Sequence, residues 1–484
     1  MGNHPWSIAK TGRVLGPVVF MMMLALPTGT LDGGAKRVTA VVLWMALWWM
    51  TEAVPLAMTS MLPLVAFPLL AVRGVGQVAP NYANHMIFLF LGGFILALAV
   101  EQSGLHKRIA LVVLQRLGSS PRRLVWGFLL ATAMLSMWLS NTATALMMLP
   151  IAAGVAGRIA DRRAPVRLLL AVAYGASIGG IGTLVGTPPN LVLAGMAPTL
   201  VDGIEPLTFG GWMVFGLPFV LLLLPVAGLL LGRGLPRSEG REMGLAEERA
   251  ALGPIRPRER RVALLFAVTA VAWITRGGLE FGWLTIPGWS SLLPDPKLVS
   301  DAVPAIAAAI CASLLPSGDG DGLRLLSWEE IQHGVPWGVL LLFGGGFAIA
   351  DAVRVTELDG WIAGELHGLA ALPLPLVVLS VCLITTTATE LTSNTATATL
   401  LMPVMAALAQ VLGVHPYLLM VPATVSASCA FMLPVATPPN AVIIGSGRVG
   451  ARDLCREGVW LNLAGAIVTT LAVLTLGRLV LPLG

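Results

Sequence analysis

The sequence predicts an all-α polytopic membrane protein, with about eleven transmembrane helices plus two re-entrant hairpins in two inverted repeats. Three observations carry this. Of the 484 residues, 56% are hydrophobic and only 11% charged, with a mean hydropathy of +0.84; soluble domains carry about 25% charged residues. Apolar runs of spanning length recur along the chain, and no polar stretch is long enough for a separate soluble domain. Short polar motifs inside those runs occur twice, in the same order.

A spanning helix takes about 20 apolar residues. Runs near 14–30, 38–56, 59–72, 86–103, 166–200, 209–231, 262–279, 298–315, 336–353, 415–446 and 458–482 qualify. Lys10 and Arg13 precede Val18–Leu26 as in a signal peptide, but no small-residue cleavage site follows, so this is the first span, with a cytoplasmic N-terminus. Two further stretches, 124–157 and 373–412, are each broken by a polar turn. An arm of about 16 residues rises about 24 Å, short of the roughly 30 Å hydrocarbon core, so each reads as a re-entrant hairpin. The polar insertion 233–261 mixes Arg and Glu and reads as a cytoplasmic linker with some helix.

With the N-terminus inside and each hairpin returning to its own side, the cytoplasmic segments are 1–13, 104–123, 158–167, 233–261, 317–335 and 447–457. They carry 23 of the 30 Lys and Arg, as the positive-inside rule requires. The net charge of +5 and the pI near 9.3 therefore reflect topology and give no reason to expect nucleic acid. The first hairpin is flanked by cytoplasm and the second faces outside, which places the chain in a plasma membrane, the inner membrane of a bacterium. Cys311, Cys382, Cys429 and Cys455 form no CxxC pair and read as small core residues. Trp48 and Trp49 read as interface markers.

The repeat is exposed by a nearly constant offset. Pro63 matches Pro316, Gly92–Phe94 matches Gly345–Phe347, and SNTATA at Ser140–Ala145 matches SNTATA at Ser393–Ala398, each 253 residues on. TPPN at Thr187–Asn190 recurs at Thr437–Asn440, 250 residues on. An odd number of crossings separates matched motifs, so the halves are inverted. Broken helices at matching places of inverted repeats mark a transporter's binding site near the midplane.

Ser, Asn and Thr cap helix N-termini because their side chains accept orphan backbone N–H bonds. Each SNT turn precedes a small-residue helix whose N-terminus offers free N–H groups and partial positive charge. Two such tips entering from opposite sides bind an anion without Lys or Arg. Asn oxygens and main-chain carbonyls of the same turns suit a hard cation such as Na⁺. In TPPN, Pro-Pro removes two N–H donors, and carbonyls freed inside a membrane need partners. An unwound stretch is expected beside each tip, lending carbonyls to cations and Thr hydroxyls to the anion; Gly186 permits close backbone approach where the second copy has Ala436. Glu52, Glu101, Asp351 and Glu390 are further polar residues within apolar surroundings. A structural role is expected for each, with Glu390 placed to orient the second turn.

WWMTEAVP at 48–55, GGF, both SNT turns, both TPPN segments and SASCAFMLPVATPPN at 426–440 together resemble the divalent anion/Na⁺ symporter family over nearly the whole chain. The resemblance implies a homodimer with an elevator mechanism, in which a scaffold (1–123 and 262–370) holds the dimer and a transport domain (124–232 and 371–484) slides across the membrane. It also implies that the anion contacts Ser140, Asn141, Thr142, Ser393, Asn394, Thr395 and the Thr437–Pro438 step. One Na⁺ is held by Ser136, Ser140, Asn141 and Gly186, a second by Thr389, Thr392, Asn394 and Ala436. The family usually has a small residue where Thr392 stands; a main-chain carbonyl serves in either case.

The function this implies is Na⁺-coupled symport of a small divalent anion, a C4-dicarboxylate first. Sulfate or citrate symport and Na⁺-independent dicarboxylate exchange are the alternatives. Exchangers of the family resemble versions of this site with a cationic side chain near the sodium positions, whereas 131–145 and 385–402 contain no Lys, Arg or His. An enzyme is not expected, since there is no DDxxD or HExxH. A channel would not need matched cation sites.

Overall fold

The computed structural model describes residues 8–481 apart from residues 28, 30, 32, 119, 160, 162, 237–243, 281–284 and 321. It is built almost wholly from helices; a single pair of two-residue strands, Leu279–Glu280 and Thr285–Ile286, stands in a loop. Among the described residues, seven helical stretches are long and apolar enough to cross a membrane unaided, and five shorter apolar helical stretches accompany them.

The first two helices, Ile8–Ala25 and Gly33–Thr51, lie antiparallel against each other. Small residues allow this approach: a Cβ on Gly12 would stand 1.9 Å from Thr51 Oγ1, and one on Gly16 2.6 Å from Trp48 Nε1. Trp48 Nε1 donates to the Gly12 carbonyl at 3.0 Å, and Trp49 is buried. Trp48 therefore closes the helix pair, and Trp49 Nε1 donates to the Leu56 carbonyl at 3.3 Å, so neither simply marks an interface. The expected span 59–72 is two short helices, Leu56–Thr59 and Leu62–Leu69.

From here the repeat is visible element by element. His85–Ser103 corresponds to Trp337–Val355. Each ends in a left-handed residue, Gly104 (φ 79°) and Glu357 (φ 53°), 253 positions apart. Each then turns into a helix read from sequence as loop, Leu105–Leu117 and Leu358–Leu366. The hairpins follow, Pro121–Ser136 with Asn141–Ala156, and Leu374–Leu391 with Asn394–Leu412. Both arms of the first have 16 residues, as expected, but those of the second have 18 and 19. At about 1.5 Å per residue the second pair is nearly long enough to span, so arm length alone does not separate a re-entrant from a spanning hairpin there.

The expected spans 166–200 and 415–446 are not continuous. Each is two half-helices around an unwound stretch: Ala164–Gly180 and Pro188–Leu200 around 181–187, and Tyr417–Ala427 and Pro438–Gly445 around 428–437. The change of offset from 253 to 250 falls inside this element. Long helices close the halves, Phe209–Gly232 and Ala451–Ala472, the latter running on through a π-helical turn at Val473–Gly477. The other expected spans are Pro257–Thr275 and Ala302–Leu314, each within a few residues of its sequence bounds.

The halves interlock. Pro188–Leu200 packs on the second arm of hairpin two, and Pro438–Gly445 packs on the second arm of hairpin one. Asp351 is paired through both carboxylate oxygens with Arg73, at 3.0 and 3.1 Å, a structural role at a helix end. Cys382 and Cys429 are buried, but Cys311 is exposed, so it is not a core residue.

Candidate anion and cation site

Ser140 and Ser393 are both extended, with φ,ψ of −62°,144° and −61°,132°, the conformation an N-cap requires. Ser140 Oγ accepts from Ala143 N at 3.2 Å, and its carbonyl accepts from Thr144 N at 2.9 Å. The Ser393 carbonyl accepts from Thr397 N at 2.9 Å, while its hydroxyl makes no cap bond. The N–H groups of Asn141 and Thr142, and of Asn394 and Thr395, are first-turn donors with no intrahelical partner. Two helix ends thus present backbone N–H groups and serine hydroxyls, the inventory for an anion.

Behind each tip stands a set of oxygens. Ser136 Oγ lies 2.6 Å from Asn141 Oδ1. The same end of that carboxamide lies 3.2 Å from the Gly186 carbonyl and 3.1 Å from the Ala176 carbonyl. Turned over, Nδ2 donates to the other three and the carboxamide is satisfied without a cation; with Oδ1 inward the four oxygens have no N–H between them, a neutral set that would suit Na⁺. In the second half, Thr389 Oγ1 lies 2.7 Å from Asn394 Oδ1 and 2.8 Å from the Ala427 carbonyl, and its one hydrogen serves either acceptor. Ser136 and Thr389 are 253 positions apart, so the same hydroxyl-to-Asn contact is built twice. Thr392 Oγ1 turns back to the Ala388 carbonyl at 3.0 Å and to Thr397, which leaves its main-chain carbonyl as the atom available to a cation.

The first cage depends on close backbone approach. A Cβ on Gly180 would lie 2.6 Å from Asn141 Oδ1 and 2.9 Å from the Gly186 carbonyl, and one on Gly186 only 2.4 Å from the Gly180 carbonyl. The matching positions in the second half are Ala430 and Ala436, so its backbone takes a more open path. Ala436 is buried and donates its N–H to the Leu433 carbonyl. Thr437 Oγ1 caps the following half-helix by accepting from Asn440 N at 3.4 Å, and its own hydroxyl hydrogen remains free to donate. Pro438 takes the first helical position, where its missing N–H costs nothing.

What holds the unwound stretches was not foreseen. Asn190 Nδ2 donates to the carbonyls of Gly180, Ile181 and Thr183 at 3.3, 3.2 and 2.7 Å. Its repeat partner, Asn440 Nδ2, donates to Ala430 and Leu433 at 3.2 and 3.0 Å. Trp212 Nε1 adds a bond to the Ile181 carbonyl at 2.9 Å. Thr187 Oγ1 and Ser428 Oγ lie 3.4 Å apart and join the two breaks. Glu390 contacts the second break, not the SNT turn it precedes: its carboxylate accepts from Phe431, Met432 and Leu433 N–H. The recurrence of Asn in both TPPN copies was the available signal for Asn190 and Asn440. Removing Asn190 strands up to three buried carbonyls, at about 1–3 kcal/mol for a buried group left unsatisfied. Asn190→Ala is expected to lower the thermal unfolding midpoint of the purified protein by about 5 °C or more, read by a thermal-shift assay.

Two inverted repeats, each with a hairpin tip and a broken helix that bring helix-end donors and oxygens together, define a membrane transporter. The comparisons place it further. A family model described as "Sodium:sulfate symporter transmembrane region" matches residues 9–483. The chain is 37% identical over 490 residues to the sodium-dependent dicarboxylate transporter SdcS of Staphylococcus aureus strain NCTC 8325, covering 97% of this chain and 92% of that protein; the figures are the same for strain USA300. The chain belongs to the sodium:sulfate symporter family, the divalent anion/Na⁺ symporters that its motifs resemble. Among solved structures it shares its fold with the Alcanivorax borkumensis YdaH transporter (TM-score 0.60, 17% identity, 93% of this chain and 100% of that one). It shares it also with Neisseria gonorrhoeae MtrF (TM-score 0.58, 11% identity, 94% and 96%).

Proposed function

We propose that the protein is a Na⁺-coupled symporter of a small dianion, a C4-dicarboxylate such as succinate, malate or fumarate. The observation that carries this is the doubled arrangement of a helix N-terminus beside a set of neutral oxygens: Ser136, Asn141, Ala176 and Gly186 in one half, Thr389, Asn394 and Ala427 in the other. In this reading the dianion sits between the tips. It is held by the N–H and hydroxyl groups of Ser140, Asn141, Thr142, Ser393, Asn394 and Thr395, and by the Thr437 hydroxyl beside Pro438. One Na⁺ occupies the first cage with Ser140 added. The second takes Thr389, Asn394, the Thr392 and Ala436 carbonyls and that of Ala427. Each cation lies behind a tip and offsets the dianion's charge, so loading one favours loading the other.

The dicarboxylate is preferred over sulfate because the SdcS relatives are named for that substrate. Segments 124–232 and 371–484 form the moving transport domain of a homodimer, and 1–123 and 262–370 its scaffold, with the N-terminus in the cytoplasm of a bacterial inner membrane. The test is uptake of labelled succinate by proteoliposomes. An inward Na⁺ gradient is expected to drive accumulation above equilibrium, with unlabelled malate and fumarate competing better than sulfate or citrate. Equal uptake with and without Na⁺ would point to exchange and overturn symport.

A further inference from the structure

The two halves of the site are matched in backbone and unmatched in charge. Glu390 is 5% exposed. Its Oε1 accepts from Phe431 N at 2.8 Å, Met432 N at 2.9 Å and Asn462 Nδ2 at 2.7 Å, and its Oε2 accepts from Leu433 N at 2.8 Å. Asn462 Oδ1 also accepts from Phe431 N, at 3.2 Å. All four partners of the carboxylate are N–H donors, so both its oxygens are used as acceptors. Among the described residues no basic side chain pairs with it. The equivalent position 253 earlier is Met137, whose main-chain carbonyl accepts from Thr183 Oγ1. The residue 250 before Asn462 is Trp212, a neutral donor to the first break. Both unwound stretches have an Asn amide donating to their carbonyls, but only the second is also held through its N–H groups by a buried carboxylate.

Resting on the symport reading above, we infer that Glu390 is a positioning residue that makes the two cation sites unequal. It fixes the 431–433 turn leading to Ala436, and it sets a negative charge next to Thr389 that has no counterpart in the first half. A buried carboxylate without a protein cation is costly, and a Na⁺ bound at Thr389, the adjacent residue along the chain, would offset that cost. The second cage therefore fills at lower Na⁺ than the first.

The test compares E390Q, E390D and N462A in proteoliposomes, scanning Na⁺ at saturating succinate and succinate at saturating Na⁺. E390Q is expected to raise the Na⁺ concentration for half-maximal uptake by about tenfold or more, about 1.4 kcal/mol, with the half-maximal succinate shifting less than about threefold. E390D keeps the charge and is expected to stay near the wild-type Na⁺ dependence. N462A removes a neutral brace and is expected to lower thermal stability without moving the Na⁺ midpoint. An unshifted Na⁺ midpoint in E390Q, or equal losses of maximal rate in E390Q and N462A with no Na⁺ shift, would overturn the inference. If E390Q does not fold, a tenfold Na⁺ shift in E390D overturns it instead. A wild-type protein indifferent to Na⁺ removes the symport reading and this inference together; steep wild-type Na⁺ dependence with an unshifted E390Q removes this inference alone.

Discussion

Asn141→Ala and Asn394→Ala are each expected to lower Na⁺-driven dianion uptake by about 100-fold or more while leaving the protein folded. Each Asn serves two sides at once. In the proposed reading its backbone N–H is a first-turn donor toward the anion, and its side-chain oxygen closes the cage behind. Removing Oδ1 from the first cage leaves Ser140, the Ser136 hydroxyl and the Ala176 and Gly186 carbonyls, one oxygen fewer to replace the water a hard cation gives up. A hydrogen-bonding contact to a charged group contributes about 1.5–3 kcal/mol, roughly 10- to 150-fold, and losing the cation also weakens the dianion it offsets. Asn141→Asp separates the two sides. It keeps the oxygen and adds a negative charge, so Na⁺-dependent thermal stabilisation is expected to persist while uptake is lost. Near-normal uptake in both Ala variants would remove the Asn pair from the site.

The glycines of the first cage give the second large effect. Gly186→Ala puts a Cβ 2.4 Å from the Gly180 carbonyl, and Gly180→Ala puts one 2.6 Å from Asn141 Oδ1. In Gly186→Ala the clashing atoms are backbone and cannot rotate away, so 181–187 must shift and the cage opens. Uptake is expected to fall about 100-fold in either variant, because a ligand displaced by about 1 Å no longer coordinates. Ala436→Gly, at the matching place in the second half, is expected to stay within about threefold of wild type. Gly360→Ala, where a Cβ would meet nothing within 4 Å, serves as the folding control. A Gly186→Ala protein with wild-type uptake would mean that the Gly186 carbonyl has no part in the site.

The tips and breaks were legible in the sequence because polar residues in an apolar run are conspicuous, and a six-residue identity repeated at a fixed offset fixes their pairing. The hydroxyl-to-Asn contacts of Ser136 and Thr389 lie where the resemblance places them. The breaks inside 166–200 and 415–446 were anticipated only at TPPN. In the first, glycines and Leu184–Val185 continue the apolar run, and the stabilising donors come from Asn190 and Trp212. The Leu105–Leu117 helix was hidden by Lys107, Arg108 and Arg116, which made an amphipathic helix look like loop. Arg108 in fact binds Glu259 and the carbonyls of 252–254, contacts about 150 residues away. Glu390 stood next to the second turn in sequence, yet its partners lie 41 to 72 residues on. Long-range satisfaction of buried polar groups leaves no local pattern to read.

The central claim is that two cages and one anion site operate together. Its most direct test is the initial rate of succinate uptake against Na⁺ concentration at saturating succinate. Two coupled cation sites predict a sigmoidal curve with a Hill coefficient rising toward about 2, reduced to a hyperbola in any variant retaining activity with one cage removed. A hyperbolic wild-type curve, or uptake independent of Na⁺, would contradict it.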